Sequence, residues 1–476
     1  MKTTKFTILH LSDIHLHDPE GSKFAGTDAS VAKAFLEHDF SDDKIDLIAV
    51  TGDIFDGPYI GDKRAILGTG KAYGDFFFQK LTDILPNSAR ILFAYGNHDM
   101  KVRIDKEIDT PVKKGFFAWF RKKKNLIDFI INRPDHEEEL KPLKDLFAKF
   151  LETYKPKNKP AITIRYEMAL AYAAFIKKCI DEEKGPIRLL ELEKMLFHNF
   201  DPWLSTTQDS NLLEGKPFSY GVHFWKENNI IVARINSSWQ NISSEYLDGH
   251  LSCGREQVRQ VEAKIKEIKN ANPDKPIYVI TLMHNAFNSL GYSDVHIPKD
   301  KSLPIALVIS DFSDLILCGH EHGELPPSLM HFESYLLKTG GLMNNKSPRN
   351  SFSIINLDFE KRELKRLLYI YNQEKTAFEI ADSLHENFGL FSKFELFPKK
   401  ARDYFVDQSR DIEEYLEFFK AHGLEFQPDE SLPADMAGIF NDLIKTSAYS
   451  KLFFNRKEGV LRKAYIADFA VKREVK

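Results

Sequence analysis

Five short apolar runs set the rhythm of this chain, and each ends on small or polar residues. They are Phe6–Leu11 before Ser12-Asp13, Leu47–Val50 before Thr51-Gly52-Asp53, Ile91–Tyr95 before Gly96-Asn97-His98-Asp99, Ile277–Met283 before His284, and Leu315–Cys318 before Gly319-His320. Runs of this length, rich in β-formers and flanked by Gly, Asp or Asn, predict buried strands. The carboxyl ends of such strands are where open α/β sheets place their sites. Further strands are predicted at Tyr335–Lys338, Phe352–Phe359 and Leu364–Tyr371. Gly254–Asn270 instead carries Val258, Val261, Ile265 and Ile268 at helical spacing, with Glu and Lys on its other faces, and predicts an amphipathic helix.

Two regions break the rhythm. From Lys101 to Gly215 the chain turns charged, with predicted helices near Glu137–Tyr154, Ile164–Ile180 and Ile187–Phe197. From Asn372 to Lys476 it is mixed and expected to be mostly helical, with Pro398, Pro428 and Pro433 marking breaks. The expected organisation is a core of residues 1–100 and 216–371, a helical basic insertion over 101–215 that caps the core, and an accessory C-terminal region over 372–476. A length of 476 residues agrees with more than one ordinary core. There is no internal repeat and no low-complexity tract.

Composition narrows the class. The chain is 43% apolar and 29% charged with 38 Phe, as in soluble globular proteins. A net charge of −4 argues against a surface coated in positive charge for nucleic acid, while leaving room for a local basic patch. Cys179, Cys253 and Cys318 lie far apart without CxxC spacing, so no disulfide framework is expected and a reducing cytosol is the default. The first residues lack the apolar segment of a signal peptide. No window approaches the roughly 18 uninterrupted apolar residues of a membrane span. A cytoplasmic protein without a transmembrane segment is expected.

Candidate chemistry sits at the strand ends. In chain order stand Asp13-Ile-His15, Gly52-Asp53-Ile-Phe-Asp56, Gly96-Asn97-His98-Asp99, His284 and Gly319-His320-Glu-His322. Each motif alone is common; the ordered set is not. On these residues the chain resembles the calcineurin-like metallophosphoesterases, over residues 5–100 and 215–370. The resemblance implies an α/β fold, a two-sheet β-sandwich flanked by helices, here with a helical insertion and a mostly helical C-terminal region. It also implies phosphoester hydrolysis at two divalent transition-metal ions. Asp53 would bridge them, with Asp13, His15 and His322 completing one position and Asn97, His284 and His320 the other. His98 would not be a ligand but would face the leaving group, with Asp99 orienting its ring. Asp56 would support the site, and Gly340-Gly341 would form a loop closing its floor.

The chemistry explains the residue types. A phosphate ester is anionic and resists attack at neutral pH. Two cations about 3.5–4 Å apart clamp the phosphoryl oxygens and supply a nucleophile. Holding them that close requires a bridging anion such as a carboxylate. Mixed imidazole and carboxylate ligation suits Mn, Fe or Zn better than Ca, and Mn is favoured. Glycines at 52, 96 and 319 are expected to take positive φ in tight turns.

Other residues are weaker candidates. His10 reads as a strand residue facing a neighbour, His17 as a loop residue able to touch substrate, and Cys318 as a small core residue. The family usually places a second His or a Pro after the lone ligand His. This chain has Met283-His284-Asn285-Ala286, which makes Asn285 a candidate substrate contact. The stretch Lys113–Lys124 holds six basic residues and the aromatics Phe116, Phe117, Trp119 and Phe120 with no acid. It fits a nucleic-acid groove with stacking rings, with Arg121, Lys122, Lys123 and Lys124 as contacts. It also fits an interfacial membrane contact, or a helix packed on the core with a solvated cationic end.

Fold alone does not choose the phosphoester. Ile235–Ser238 and Gly249–Gln257 look most like the bacterial phosphodiesterase branch, and the extended motifs of phosphoprotein phosphatases are absent. A phosphodiesterase acting on a nucleotide or other small diester is expected first. A DNA or RNA nuclease related to double-strand-break repair nucleases comes second, with the C-terminal region as a protein-partner site. A non-catalytic partner-binding scaffold comes third. No Walker-type loop is present.

Overall fold

Alternate residues of the first strand face two different cores. In β1 (Lys5–Leu11), Phe6 and Ile8 join one apolar cluster while Leu9 and Leu11 join another. The same split divides β2 (Leu47–Thr51), with Leu47 and Ala49 on one side and Ile48 and Val50 on the other. Burial on both faces is why these strands read as unbroken apolar runs rather than as alternation. Each such side chain contributes about 1.5–3 kcal/mol when fully buried.

The structure, a computed structural model, describes residues 5–15, 27–40, 44–54, 89–100, 149, 161–183, 185–197, 211–241, 251–273, 277–295, 304–320, 329–331, 334–342, 350–359, 363–387, 453–455 and 460–462. Two six-stranded sheets dominate them. The first runs β12-β11-β10-β1-β2-β3, where β3 is Arg90–Ala94, β10 Ser351–Asp358, β11 Glu363–Asn372 and β12 Ala377–Asn387. Its strands β1, β2 and β3 are parallel, and β10 closes antiparallel on β1. The second runs β4-β5-β6-β7-β9-β8, with β4 Gly221–Trp225, β5 Ile230–Arg234, β6 Tyr278–Leu282, β7 Leu315–Cys318, β8 Leu329–His331 and β9 Ser334–Lys338. Here β5, β6, β7 and β9 are parallel. The sheets meet across the cluster holding Phe6, Ile8, Leu282 and Leu317, where Phe6 lies 5.6 Å from Trp225 of the other sheet. Parallel neighbours put the carboxyl ends of β1, β2 and β3 at one edge, and those of β6 and β7 at the matching edge of the second sheet.

Helices cover the outer faces. Among them are α1 (Thr27–Leu36), α2 (Ala161–Asp181), α3 (Leu189–Leu196), α4 (Arg255–Ala271), α5 (Tyr292–Val295) and α6 (Ile305–Phe312). The helix expected at Gly254–Asn270 is α4, and those expected at Ile164–Ile180 and Ile187–Phe197 are α2 and α3; Glu137–Tyr154 lies, but for residue 149, outside the described residues. Tyr172, Ile176, Leu192 and Phe197 share one cluster with Leu9, Val50 and Phe93. The end of the expected insertion is therefore built into the core rather than laid over it. Past residue 371 the first sheet continues, with β12 paired to β11. Described residues beyond 371 are strands: β12, then β13 (Phe453–Asn455) paired with β14 (Val460–Arg462). The turn into β12 carries no glycine. Asn372 Oδ1 instead accepts from the Glu374 and Lys375 amides, and Thr376 takes φ 49°. Cys179, Cys253 and Cys318 are buried, and none is in a disulfide. Among the described residues no helix is long and apolar enough to cross a membrane.

Candidate metal centre

Every described motif residue lies just past a strand end. Asp13 and His15 follow β1, and their amides donate to the carbonyls of Gly52 and Asp53 at 2.9 and 3.0 Å. Asn97 and His98 lie in a 3-10 turn, Asn97–Asp99, after β3. His284 follows β6 and His320 follows β7, with the Gly319 amide donating to the His284 carbonyl at 3.0 Å. Asp13, His15, Asp53 and His320 adopt φ of 50°, 49°, 53° and 72°. Left-handed backbone at non-glycine residues costs about 1–3 kcal/mol each and concentrates at functional sites.

The glycines act differently from expectation. Of the three at 52, 96 and 319, Gly52 alone has positive φ, +95°, and a Cβ there would lie 2.6 Å from His284 Nδ1. Gly96 has φ −95°, open to any residue, but a Cβ would lie 2.1 Å from Asp53 Oδ1. At Gly319 a Cβ would lie 1.6 Å from Ser12 Oγ. For these two, close approach rather than conformation demands glycine.

Asp53 is the centre of the arrangement. Its Oδ1 accepts from the His98 amide at 2.7 Å. Its Oδ2 is buried outside any hydrogen bond and faces His284 Nε2 at 3.4 Å and His98 Nε2 at 3.9 Å. Burial works to raise the Asp53 carboxyl, but the imidazoles of His284, His98 and His15 outweigh it and hold the group well below the usual carboxylate range. Burial likewise pulls His284 down, yet the Asp53 carboxylate pushes it up to about 9. His284 Nδ1 lies 2.7 Å from the Thr51 carbonyl, which assigns the N–H to Nδ1 and turns Nε2 toward Asp53, Asn97 Oδ1 (3.0 Å) and His320 Nδ1 (3.2 Å). Asn97 Oδ1 also lies 3.2 Å from His320 Nδ1. Asp13 Oδ2 accepts from Ser12 Oγ at 2.6 Å and from the His320 amide at 3.0 Å.

This donor set fits divalent transition metals. The ligand atoms of Asp13, Asp53 and His284 lie within 4.8 Å of one another, as do those of His15, Asp53 and His98, so Asp53 is common to both groups. A buried carboxylate oxygen outside any hydrogen bond, ringed by imidazole nitrogens, is the kind of group that a cation satisfies. A ligand histidine that donates its other N–H to a backbone carbonyl is the usual arrangement at such sites. His98 stands apart by exposure: its side chain is 22% exposed, against 0–8% for Asp13, His15, Asp53 and His284.

Two candidates make contacts that the sequence did not suggest. The Asp99 carboxylate accepts from the amides of Asp53, Ile54 and Gly96 at 2.8–2.9 Å, which clamps two loops together. Asn285 is fully buried, and its Oδ1 accepts from Ser237 and Ser238, which pins the end of β6 to the loop after β5. His10 faces a neighbour as expected, Thr51 Oγ1 at 2.9 Å. His17, Asp56, Phe116, Phe117, Trp119, Phe120, Arg121, Lys122, Lys123, Lys124 and His322 lie outside the described residues.

Sequence reasoning passed over Ser12 and Thr51, which touch the ligands directly, and Gln257, whose amide brackets the Asn236 backbone. Position beside a ligand was the available signal for the first two. For Gln257, a polar residue in line with the buried face of α4 was the signal.

The family model for calcineurin-like phosphoesterases matches residues 6–324. The chain belongs to this family. At the family level it is a metal-dependent phosphoester hydrolase, and the family works with two metal ions. No curated protein matches the chain. Similar solved structures include the calcineurin-like phosphoesterase YfkN from Bacillus subtilis, with 11% identity and TM-score 0.29, covering 80% of this chain and 90% of that one. A Vps29 single mutant from Entamoeba histolytica has 11% identity and TM-score 0.29, covering 80% and 100%. Vps29 from Chaetomium thermophilum has 9% identity and TM-score 0.23, covering 81% and 98%. Likeness this distant carries no argument about substrate or catalysis.

Proposed function

We propose that the protein hydrolyses the phosphodiester of a nucleotide or another small diester at a dinuclear centre bridged by Asp53. The observation that carries this reading is the buried Asp53 carboxylate, which is common to both ligand groups and whose Oδ2 lies 3.4 Å from His284 Nε2. Asp13, His15 and His322 would complete one position, and Asn97, His284 and His320 the other. When bound, the two cations supply Lewis-acid stabilisation of phosphoryl oxygens and a nucleophile at neutral pH, and manganese is the favoured metal. His98, the more exposed imidazole beside Asp53, is placed to meet the leaving oxygen and give it a proton. Asp99 holds the loop that presents His98. Three buried cysteines outside any disulfide support a reducing, cytoplasmic setting.

The test is hydrolysis of bis(p-nitrophenyl) phosphate by metal-stripped protein with manganese restored. Cleavage that returns with manganese supports the reading, and none with any divalent metal leaves the scaffold alternative. Cyclic nucleotides and labelled single- and double-stranded DNA, assayed side by side, then choose the substrate class.

Charge supports a nuclease as the second reading. Residues 101–200 carry 22 Lys and Arg against 16 Asp and Glu, while residues 1–100 carry 10 against 15. A net of +6 beside a net of −5 would draw a polyanion toward the centre. Replacing Arg121, Lys122, Lys123 and Lys124 with Ser should then weaken DNA binding and flatten its salt dependence, with small-diester hydrolysis intact. Unchanged DNA affinity removes this reading. The C-terminal region beyond β12 is read as a protein-partner site.

A further inference from the structure

Behind the metal ligands runs a short polar chain whose work the hydrolytic reading does not use. Thr51, the last residue of β2, is fully buried. Its carbonyl accepts from His284 Nδ1 at 2.7 Å, and Ser12 Oγ approaches the same oxygen at 3.1 Å. Ser12 Oγ also lies 2.6 Å from Asp13 Oδ2. One backbone oxygen thus stands between a ligand of one metal position and a ligand of the other. Below it, Thr51 Oγ1 donates to the Leu11 carbonyl at 3.3 Å and meets His10 Nε2 at 2.9 Å. With its one proton committed to Leu11, the Thr51 hydroxyl accepts from His10, which assigns that ring's N–H to Nε2. His10, Ser12 and Thr51 fall on the side of β1 and β2 that faces the second sheet, in step with Phe6, Ile8, Leu47 and Ala49.

We propose that Ser12 and Thr51 are positioning residues that lock the two metal positions into one unit. The inference rests on the dinuclear reading and deepens it. Ser12 and the His320 amide both address Asp13 Oδ2, which turns Oδ1 toward His15 Nε2, 3.9 Å away. The absence of a side chain at Gly319 leaves the space that the Ser12 hydroxyl fills. Thr51 fixes the carbonyl that sets the His284 ring, because its hydroxyl ties the end of β2 to β1 on one side and to His10 on the other. Such supporting hydrogen bonds are each worth about 10–100-fold in metal affinity or activity.

The experiment uses full-length, metal-stripped protein titrated with manganese(II), followed by calorimetry and by electron paramagnetic resonance. Wild type should take up two ions with an exchange-coupled spectrum. Ser12→Ala should bind the ion at Asp13 about 10–100-fold more weakly. At a manganese concentration that couples the wild type, it should give the six-line spectrum of an isolated ion. Thr51→Val keeps the carbonyl and the volume but severs both hydroxyl contacts, and should weaken the ion at His284 while leaving the metal-free fold intact by circular dichroism. Ser12→Cys, close in size with a weak donor, should fall between wild type and Ser12→Ala. Two ions bound as tightly and as strongly coupled in Ser12→Ala as in wild type overturn the proposal and leave the dinuclear reading standing. Should Ser12→Ala not fold, Thr51→Val decides: unchanged affinity and coupling there overturn the proposal too. A wild type that takes up no manganese overturns the dinuclear reading and this inference with it.

Discussion

The two sheets hold their ligands by different means. The first sheet presents Asp13, His15 and Asp53 on left-handed backbone, cross-tied by main-chain bonds between the β1 and β2 loops and clamped by Asp99. The second sheet presents His284 on a side-chain tether, Nδ1 to the Thr51 carbonyl, and only His320 shares the strained backbone. Carboxylates must converge on two cations, and a rigid backbone sets where they point. An imidazole needs only its far nitrogen fixed. Changes to the backbone of the first sheet's loops should therefore cost more than changes to single side chains, and the predictions below follow that order.

Gly52→Ala strikes where the two means meet. A Cβ at φ +95° would press on both His284 Nδ1 and the Gly96 amide, at 2.6 and 2.7 Å. We expect a loss of about 2–4 kcal/mol in urea unfolding, from strain and forced displacement together, with metal binding abolished. Wild-type stability in this variant would mean that the loop is softer than described. Asp53→Asn comes next. It removes one charge between two cations and should lower kcat/KM by more than the ~100-fold upper range of supporting-residue changes, with both metals depleted on elemental analysis. Two filled sites and an unchanged rate would contradict the bridge.

His98→Ala should be milder for metals and still severe for rate. Both ions should remain, while turnover falls about 10²–10⁴-fold, the worth of a general acid. The loss should shrink for p-nitrophenyl esters, which leave without protonation, relative to alkyl esters. An equal loss for both would point to charge stabilisation, and metal loss would make His98 a ligand, as its proximity to His15 and Asp53 allows.

The last prediction concerns acid stability, away from the metal ligands. Burial, aided by the Arg366 charge, lowers His10 from 6.5 to about 3. The unfolded chain binds this proton below about pH 6.5 and the native chain does not, so stability falls as pH drops from 6.5 toward 3. His10→Phe should flatten that part of the slope in urea melts taken across this range. An unchanged slope would show that His10 does not titrate on unfolding.

Much of this architecture was legible in the sequence because burial on both faces writes strands as apolar runs. The motif residues at their ends needed only order to be recognised. Conformation was less legible. Asp13, His15, Asp53 and His320 sit at φ values that sequence assigns to Gly or Asn, because the surrounding fold and not the residue imposes them. Gly96 and Gly319 announced a need for glycine but not its cause. The hairpin into β12 was missed because Asn372 and Thr376 make the turn without glycine. Tyr172 and Phe197 showed a helical, charged neighbourhood, which reads as an insertion, while their own side chains belong to the core. The loop clamp of Asp99 was not legible either, because its three partners are backbone amides that leave no mark in the sequence.

Anomalous diffraction from crystals soaked in manganese tests the bridge most directly. The account predicts two peaks about 3.5–4 Å apart flanking the Asp53 carboxylate. Asp13 and His15 should lie on one side, His284, His320 and Asn97 on the other, and His98 should touch neither peak. A single peak, or a peak ligated by His98, would contradict it.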